Sequence, residues 1–272
     1  MDGEIVEKES TDRYSYSKLS SYEHCPYGYY LNYKLTEQEK EACGYLAEGN
    51  YYAENGSLVH DIHAKYFSDE LPIDDLASYY IEQYDNEICY KVRESIMKKT
   101  FECCADYFAT VDFEWMKGYK IIGIELKVEL EICGYKFIGF IDLLLENEET
   151  GEIWLIDHKS SAYPFKKDGG VLAKSKESFE SYKKQMYLYC HAVKEIYGKL
   201  PTKISWNHFK ESKIATIQFN QQEYEESLKW FEETIHTIEK DENFEPKLDF
   251  FYCSNLCDYR NSCEYRIYKS EV

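Results

Sequence analysis

The sequence predicts one α/β domain in which helices flank a mixed β-sheet, with a helical insertion ahead of the sheet. Apolar residues recur at helical spacing in the first and last thirds of the chain. Between about residues 120 and 160 the period changes to two, and short β-branched stretches alternate with turn residues. No internal repeat or linker separates these parts, so a single domain over residues 1–272 is the economical prediction.

The helical elements follow from periodicity. Residues 14–35 are expected to form a first helix, and a polar connector follows over residues 35–56. Ser57 is expected to cap a second helix, because serine side chains satisfy free N–H groups at helix starts. Residues 75–117 have the pattern of a helical insertion.

The strands come next. An antiparallel three-stranded meander is predicted by IIGIELKVEL, YKFIGFIDLLL and EIWLIDHKS, with turns at Cys133-Gly134 and at NEETG. A helix over about 178–197 and two further strands, KISWNHF and KIATIQF, complete a predicted core over residues 120–220. Residues 222–268 are expected to hold an amphipathic helix and then a segment with three cysteines.

Composition and charge limit the class of protein. The 272 residues are 44% hydrophobic and 17% aromatic, which is enough to fill a core. The segment MDGEIVEKES lacks the basic and apolar regions of a secretory signal, and no apolar run reaches the roughly 18 residues that span a bilayer. We therefore expect a soluble chain in the reducing cytoplasm, with no membrane partner, where clustered thiols bind metal more often than they pair.

The net charge of −19 argues on average against a nucleic-acid partner, because the phosphate backbone is also anionic. The segment from Lys159 to Lys184 is a local exception, with seven lysines against three acidic residues. Such a run is more often a solvated loop, so its role depends on what surrounds it.

The turn at NEETG has a specific consequence for two carboxylates. If residues 148–151 form a four-residue loop, Asn147 faces Glu152, and continuing this register places Asp142 opposite Asp157. Cross-strand partners have Cβ atoms about 4.5–5.5 Å apart, so the two carboxylates would lie side by side. Like charges at that distance in an apolar sheet are unfavourable unless a cation lies between them.

Paired carboxylates suit a hard divalent ion such as Mg²⁺ or Mn²⁺, which lowers the pKa of bound water. Lys159, two residues after Asp157, emerges on the same face of the strand and could hold that water or stabilise developing negative charge. The alternative is a hairpin whose polar face is simply solvated.

Three further residues are candidates. Gln185 and Tyr189 stand four apart on one helix face, where an amide and a phenol could orient phosphate, although a tyrosine there is more often core. His60 could be a third metal ligand, although a lone helical histidine is more often structural and His63 is an equally visible rival.

Four of the ten cysteines have spacing typical of a metal site. Cys25 near the start joins Cys253, Cys257 and Cys263, and four thiolates suffice for a [4Fe-4S] cluster or for tetrahedral zinc. The other six are interpreted as buried free thiols: Cys43, Cys89, Cys103, Cys104, Cys133 and Cys190.

Read in chain order, the motifs SYSKLSSYEHCPYGYYLNY, GSLVH, GFID, IDHK and QMYLY, followed by the three C-terminal cysteines, resemble the PD-(D/E)XK nuclease superfamily. Within it they are most similar to RecB-like exonucleases that carry an iron-sulfur cluster, such as the AddB nuclease domain and CRISPR-associated or phage-encoded relatives. The resemblance spans residues 14–266 with gaps. It departs between Cys253 and Cys257, where three residues stand and two are more usual.

The resemblance implies a restriction-endonuclease-like core and a role for each matching residue. It implies four divalent-metal ligands: His60, Asp142, Asp157 and the backbone carbonyl of His158. Lys159 becomes the catalytic lysine, with Gln185 and Tyr189 positioning DNA or supporting that lysine. His60 outranks His63 because the family's histidine follows the glycine, here Gly56, by four residues.

The resemblance also implies a [4Fe-4S] cluster on Cys25, Cys253, Cys257 and Cys263. Zinc remains the alternative, although a common zinc pattern has two closely spaced pairs of cysteines. A cluster there would clasp the N-terminal helix to the C-terminal segment and contribute to folding stability.

The expected function is a metal-dependent exonuclease that hydrolyses single-stranded or end-frayed DNA, in recombination, repair or CRISPR-type processing, with recombination or CRISPR adaptation proteins as partners. The lysine-rich loop would then guide the phosphate backbone. Two alternatives stay open. One is a non-catalytic DNA-binding or scaffolding subunit of a recombination complex, and the other is a zinc-stapled interaction protein.

Overall fold

A five-stranded mixed sheet forms the centre of the molecule, which is a computed structural model that describes residues 13–266. The segment MDGEIVEKES and residues 267 and 268 of the predicted C-terminal segment lie outside that range. The strands are β1 (Tyr119–Ile132), β2 (Tyr135–Asn147), β3 (Ile153–Lys159), β4 (Lys203–His208) and β5 (Lys213–Gln218). They lie side by side in chain order, and all neighbours are antiparallel except β3 and β4.

Helices cover both faces of this sheet. They are α1 (Tyr16–His24), α2 (Pro26–Tyr33), α3 (Glu37–Ala42), α4 (Tyr51–Phe67), α5 (Leu76–Glu87), α6 (Glu94–Thr110), α7 (Lys176–Tyr197), α8 (Gln221–Lys240) and α9 (Phe250–Asn255). Buried residues of α1, α7 and α8 pack on one face, and buried residues of α4, α5 and α6 pack on the other. The predicted mixed sheet flanked by helices is confirmed.

The predicted first helix is in fact two. Cys25 has an extended backbone (φ −159°, ψ 106°) between α1 and α2, and Pro26 opens α2. Proline lacks an N–H and disfavours a helical residue before it, so it ends one helix and starts the next. The Cys25 sulfur caps α2 by accepting from the Gly28 backbone N–H at 3.4 Å.

The expectation that Ser57 starts the second helix is wrong. α4 begins at Tyr51, and the side chain of Asn50 caps it by accepting from the Tyr52 N–H at 2.8 Å. The segment predicted to be a polar connector contains buried residues. One of them is Tyr51, whose hydroxyl lies 2.9 Å from that of Tyr84 on α5. Tertiary contacts therefore extend the helix beyond what local pattern indicates.

The meander has the predicted register. The Asn147 N–H donates to the Glu152 carbonyl at 2.9 Å, and the ladder runs to the pair Leu143 and Ile156. Helices α5 and α6 lie within residues 75–117, and residues 88–93 between them are in neither helix nor strand. Among residues 13–266, no helix is long and apolar enough to cross a membrane.

Gly139, the glycine of GFID, lies under the ring of Tyr189. A Cβ at Gly139 would stand 2.6 Å from Cε1 of Tyr189, well inside van der Waals contact. The backbone of β2 and the helix α7 therefore approach closely at this point, which holds α7 against the strands that carry Asp142 and Asp157.

We predict that Gly139→Ala lowers the free energy of unfolding by about 1–3 kcal/mol, because the added methyl must displace Tyr189. Gly56→Ala is the matched control, since a Cβ there meets nothing within 4 Å and alanine is the better helix former by about 0.5–1 kcal/mol. Urea titration of both variants measures the difference. Equal stability of the two variants would contradict the close approach.

Candidate active site

Two carboxylates and a lysine meet where β2 and β3 run side by side. Asp142 lies one position beyond the last paired residues of these strands, on the register that places it opposite Asp157. Both aspartates are buried, and the Nζ atom of Lys159 lies 2.7 Å from Oδ2 of Asp157. Asp142 Oδ2 accepts a hydrogen bond from the backbone N–H of His158 at 2.7 Å.

α4 brings His60 to the same place. Its Nε2 lies 3.2 Å from the His158 carbonyl oxygen, and its Nδ1 lies 3.5 Å from Asp142 Oδ2. The rival His63 faces away into the core, where its ring nitrogens pair with the Val59 carbonyl and the Tyr107 hydroxyl. Of the two histidines, the geometry therefore selects His60 as the one beside the carboxylates.

The His158 side chain points to the opposite face of β3 from Asp157. There it stacks on His63, with ring centroids 4.0 Å apart, and lies 3.1 Å from the Asn207 side-chain amide. Burial lowers the pKa of both histidines, so both rings stay neutral. This packing fixes β3 and leaves the His158 carbonyl directed at His60.

α7 supplies the residues around Lys159. The lysine Nζ donates to Gln185 Oε1 at 3.0 Å, and Gln185 Nε2 donates to the Tyr189 hydroxyl at 3.3 Å. The ring of Tyr182 lies 4.9 Å from the same Nζ. Lys159 is thus held between Asp157 and Gln185, in one orientation.

The charges in the site are tightly coupled. Burial and the charge of Asp157 raise the pKa of Asp142 to about 7. Burial acts to lower the pKa of His60, but the carboxylates of Asp142 and Glu125 outweigh it and raise that pKa to about 9. Burial likewise opposes the charge on Lys159, and Asp157 and Asp142 overcome it, so the pKa of Lys159 is raised. The carboxylates are therefore short of positive charge, which a bound cation would supply.

Glu125 is a site residue that the sequence analysis missed. It lies on β1 opposite Asp142, and its Oε1 is 3.4 Å from Nδ1 of His60. Ligand atoms of His60, Glu125 and Asp142 lie within 4.8 Å of one another. The sequence contains the information that predicts it, because the two-residue turn at Cys133-Gly134 sets a β1–β2 register that places Glu125 opposite Asp142.

The donors in this site fit a hard divalent cation. Carboxylate oxygens, one imidazole and a backbone carbonyl are ligands that suit Mg²⁺ or Mn²⁺. Two buried carboxylates that approach each other without a cation are unfavourable in their ionised forms. The raised pKa of Asp142 reflects this, because a higher pKa means that the ionised form is disfavoured.

The four cysteines singled out by spacing lie together. Cys25, Cys253, Cys257 and Cys263 line one small cavity between α2 and the C-terminal segment. Burial raises the pKa of the Cys257 thiol to about 11, and raises those of Cys253 and Cys263 as well. The α2 region and the segment of Cys253, Cys257 and Cys263 therefore share a cavity with four thiols in its lining.

The interpretation of the other six cysteines as buried is wrong for three of them. Cys104 and Cys190 are buried and Cys103 is half-buried, whereas Cys43, Cys89 and Cys133 are exposed. Cys43 follows the last residue of α3, Cys89 lies in the irregular segment after α5, and Cys133 is in the β1–β2 turn.

The lysine-rich segment runs from the end of β3 to α7. Lys183 and Lys184 are paired with Glu223 and Glu23, so they do not form a basic surface. Four lysines of the segment are exposed: Lys166, Lys167, Lys174 and Lys176. The positive surface is therefore narrower than the sequence count indicates.

The chain is similar to known proteins in sequence and in fold. The family model described as "PD-(D/E)XK nuclease superfamily" matches residues 13–264. A crystal structure from Eubacterium rectale, of a protein provisionally named an exonuclease, aligns with a TM-score of 0.52 at 17% identity, covering 100% of this chain and 96% of that one. The structure of SSO0001 aligns with a TM-score of 0.38 at 13% identity over 96% and 90% of the two chains. No curated protein matches the sequence.

The charge balance predicts how stability depends on pH. Because the pKa of Asp142 is raised from 3.8 to about 7, the folded state binds more protons than the unfolded state between these values, and stability falls as pH rises through them. The stabilising contribution of protonated His60 is complete below pH 6.5 and is lost as pH rises through about 9. We predict that the metal-free protein loses on the order of 2–4 kcal/mol between pH 5 and pH 8.

Excess Mn²⁺ should remove most of this loss, because it stabilises the ionised carboxylates. Asp142→Asn should flatten the profile without metal, whereas Asp106→Asn, on the exposed side of α6, should not. Urea titrations across pH measure both effects. A steep profile in Asp142→Asn would contradict the assignment.

Proposed function

The chain belongs to the PD-(D/E)XK nuclease superfamily, and on that premise we propose that it is a divalent-metal-dependent DNA exonuclease that hydrolyses phosphodiester bonds of single-stranded or end-frayed DNA. The observation that carries the proposal is the contact of 2.7 Å between Lys159 Nζ and Asp157, beside the buried Asp142. An acid pair with an adjacent oriented lysine matches the chemistry of phosphodiester hydrolysis, in which a water is activated and charge develops on phosphate oxygens.

Each residue has a role in this proposal. Asp142, Asp157, His60 and the His158 carbonyl would hold the divalent cation, which when bound lowers the pKa of a coordinated water and polarises the phosphate. Lys159 orients the attacking water and stabilises negative charge on the phosphate oxygens. Gln185 keeps the lysine in place and is itself held by Tyr189.

An aromatic cleft supports single-stranded DNA as the substrate. It has a volume of about 500 Å³, and among its lining residues are Tyr52, Tyr90, Arg93, Phe250 and Phe251. Phe250 and Phe251 are 55% and 62% exposed, and exposed aromatic rings beside cations are the means by which proteins stack unpaired bases.

The cleft is connected to the site by α4. His60 lies nine residues after Tyr51 at the start of this helix, which at 1.5 Å per residue is about 14 Å. A few unpaired nucleotides would bridge that distance. The four exposed lysines from the end of β3 to the first residue of α7 supply further positive charge for the DNA backbone.

We propose a [4Fe-4S] cluster on Cys25, Cys253, Cys257 and Cys263. One distant thiol and three close ones differ from the two closely spaced pairs of a common zinc site. All four thiols line one cavity, which supports a shared metal centre. Its role would be to clasp α2 to the segment that carries α9.

The remaining parts of the proposal are biological. The chain would form a single domain and act in the cytoplasm. It would take part in recombination, repair or CRISPR-type DNA processing, alongside proteins of those pathways. The alternative, a non-catalytic DNA-binding or scaffolding subunit, is less favoured because such a subunit has no chemical need for the contacts that link Asp157, Lys159 and Gln185. A zinc-stapled interaction protein would need only the cysteines.

We predict that the wild-type protein degrades end-labelled single-stranded DNA with Mn²⁺ or Mg²⁺ and leaves covalently closed circles intact. Asp157→Asn and Lys159→Ala should each lower the rate by about 10²-fold or more, because each removes a group that acts on the reacting phosphate. Lys229→Ala is the control, since that side chain is 71% exposed on α8. Failure of the wild type to cut, or full activity in either site variant, would exclude the nuclease proposal.

We predict about four iron atoms per chain and a brown colour in protein purified without oxygen. Cys25→Ala should lose the iron and unfold at lower temperature, whereas Cys43→Ala, at an exposed cysteine, should keep both properties. Metal analysis and visible absorbance measure this. One zinc per chain with no visible absorbance would exclude the cluster.

A further inference from the structure

We propose that a buried polar network on the face of β3 opposite Asp157 positions the metal site, by fixing the residue His158. The network consists of the side chains of His158 on β3, His63 on α4, Tyr107 on α6 and Asn207 on β4. The inference rests on the proposed nuclease function and deepens it, because it names the residues that keep the geometry of that site.

Both peptide groups of His158 take part in the site. Its backbone N–H donates to Oδ2 of Asp142 at 2.7 Å, and its carbonyl oxygen lies 3.2 Å from Nε2 of His60. A rotation of the backbone at His158 would therefore move the contact with Asp142 and the carbonyl together. Contacts that hold the His158 side chain restrict this rotation, since side chain and main chain share one Cα atom.

The hydrogen bonds of the network run in one direction. Nδ1 of His63 lies 2.8 Å from the Val59 carbonyl oxygen, which can only accept, so Nε2 of this neutral ring must accept as well. The Tyr107 hydroxyl, 2.8 Å from that Nε2, therefore donates to it. The same hydroxyl oxygen accepts from Nδ2 of Asn207 at 2.9 Å. The second hydrogen on Nδ2 is then directed at Nδ1 of His158, 3.1 Å away.

This direction sets the tautomer of His158. Because Nδ1 accepts from Asn207, the neutral ring carries its proton on Nε2. Over the described range, residues 13–266, Nε2 of His158 has no hydrogen-bond partner. Within that range the ring is therefore oriented by the amide of Asn207 and by stacking on His63, with ring centroids 4.0 Å apart.

The surroundings of the network are apolar, which argues for a use beyond packing. All four side chains are at most 3% exposed. Rings that pack against them include Phe67, Phe108, Phe113 and Phe209. Apolar residues would fill this layer without needing partners, whereas a buried polar network specifies one arrangement of the groups that it joins.

Tyr107 connects the helical insertion to the site. From its hydroxyl, the hydrogen bonds to Asn207 and from there to His158 lead to the residue whose carbonyl faces His60. Groups that orient metal ligands from outside in this way commonly lower metal affinity by about 10–100-fold when they are removed. The position of α6 against β4 is thus a determinant of the metal site, although α6 is on the side of the sheet away from Asp157.

Tyr107→Phe tests the inference, because it removes only the hydroxyl in the middle of the network. Tyr80→Phe is the matched control, since Tyr80 is also buried in the helical insertion and its hydroxyl donates to Asn55 at 2.8 Å, outside the network. Calorimetric titration should show Mn²⁺ binding about 10-fold or more weaker in Tyr107→Phe, and within about twofold of wild type in Tyr80→Phe. Urea midpoints of the two variants should fall by similar amounts, because each loses one buried hydroxyl.

Nitrogen-15 NMR of labelled histidines in the wild-type protein tests the direction of the network without a substitution. We expect the proton on Nδ1 of His63 and on Nε2 of His158. A proton on Nδ1 of His158 would overturn the inference, since Asn207 could not then donate to that atom. This measurement also decides the matter if Tyr107→Phe fails to fold.

The outcomes separate this inference from the proposed function. Wild-type Mn²⁺ affinity in Tyr107→Phe would overturn the positioning role, and the nuclease proposal would stand if the wild type cuts DNA. An equal loss of affinity in Tyr107→Phe and Tyr80→Phe would also overturn it, because general destabilisation would then account for the change. The expected difference between the variants in a protein that cuts no DNA would overturn the nuclease proposal alone. A wild type that binds no Mn²⁺ would overturn both.

Discussion

The proximity of two buried carboxylates, Asp142 and Asp157, is the constraint on which the rest of the site depends. Strand pairing forces them together, because the turn between β2 and β3 sets a register in which they face each other. Burial removes the water that would screen their repulsion, and the pKa of Asp142 rises in consequence. The fold tolerates this only with positive charge close by. Lys159 provides part of that charge, and the donor set fits a cation that would provide the rest.

The two layers of helices serve this centre in different ways. α7 packs so closely on β2 that only glycine fits at position 139, and it presents Gln185 to the lysine. α4, in the other layer of helices, places His60 beside the His158 carbonyl. His63 of the same helix stacks on the neutral His158 ring, and this contact holds β3 on the face opposite Asp157. Each helix thus combines a packing role with one side chain at the site. Movement of either helix would separate the groups that the strands bring together.

A feature of this site can be predicted from the sequence when the residues that determine it are close together in the chain. The register of Asp142 and Asp157 follows from one turn, so it could be predicted, and the same reasoning at Cys133-Gly134 would have found Glu125. The start of α4 could not be predicted, because Tyr51 is buried by contact with a distant helix and Ser57 offers a false local signal. Charge counting also failed for the lysine-rich segment, since acidic residues from α1 and α8 neutralise two of its lysines.

Anomalous diffraction from crystals grown with Mn²⁺ is the most direct measurement of whether the buried carboxylates hold a catalytic cation. We expect a manganese peak bounded by His60, by carboxylate oxygens of Asp142 and Asp157 and by the His158 carbonyl, with Lys159 still within hydrogen-bond distance of Asp157. A full-occupancy manganese elsewhere, with these carboxylates contacting only protein atoms, would contradict the assignment of Asp142 and Asp157 as the hydrolytic centre.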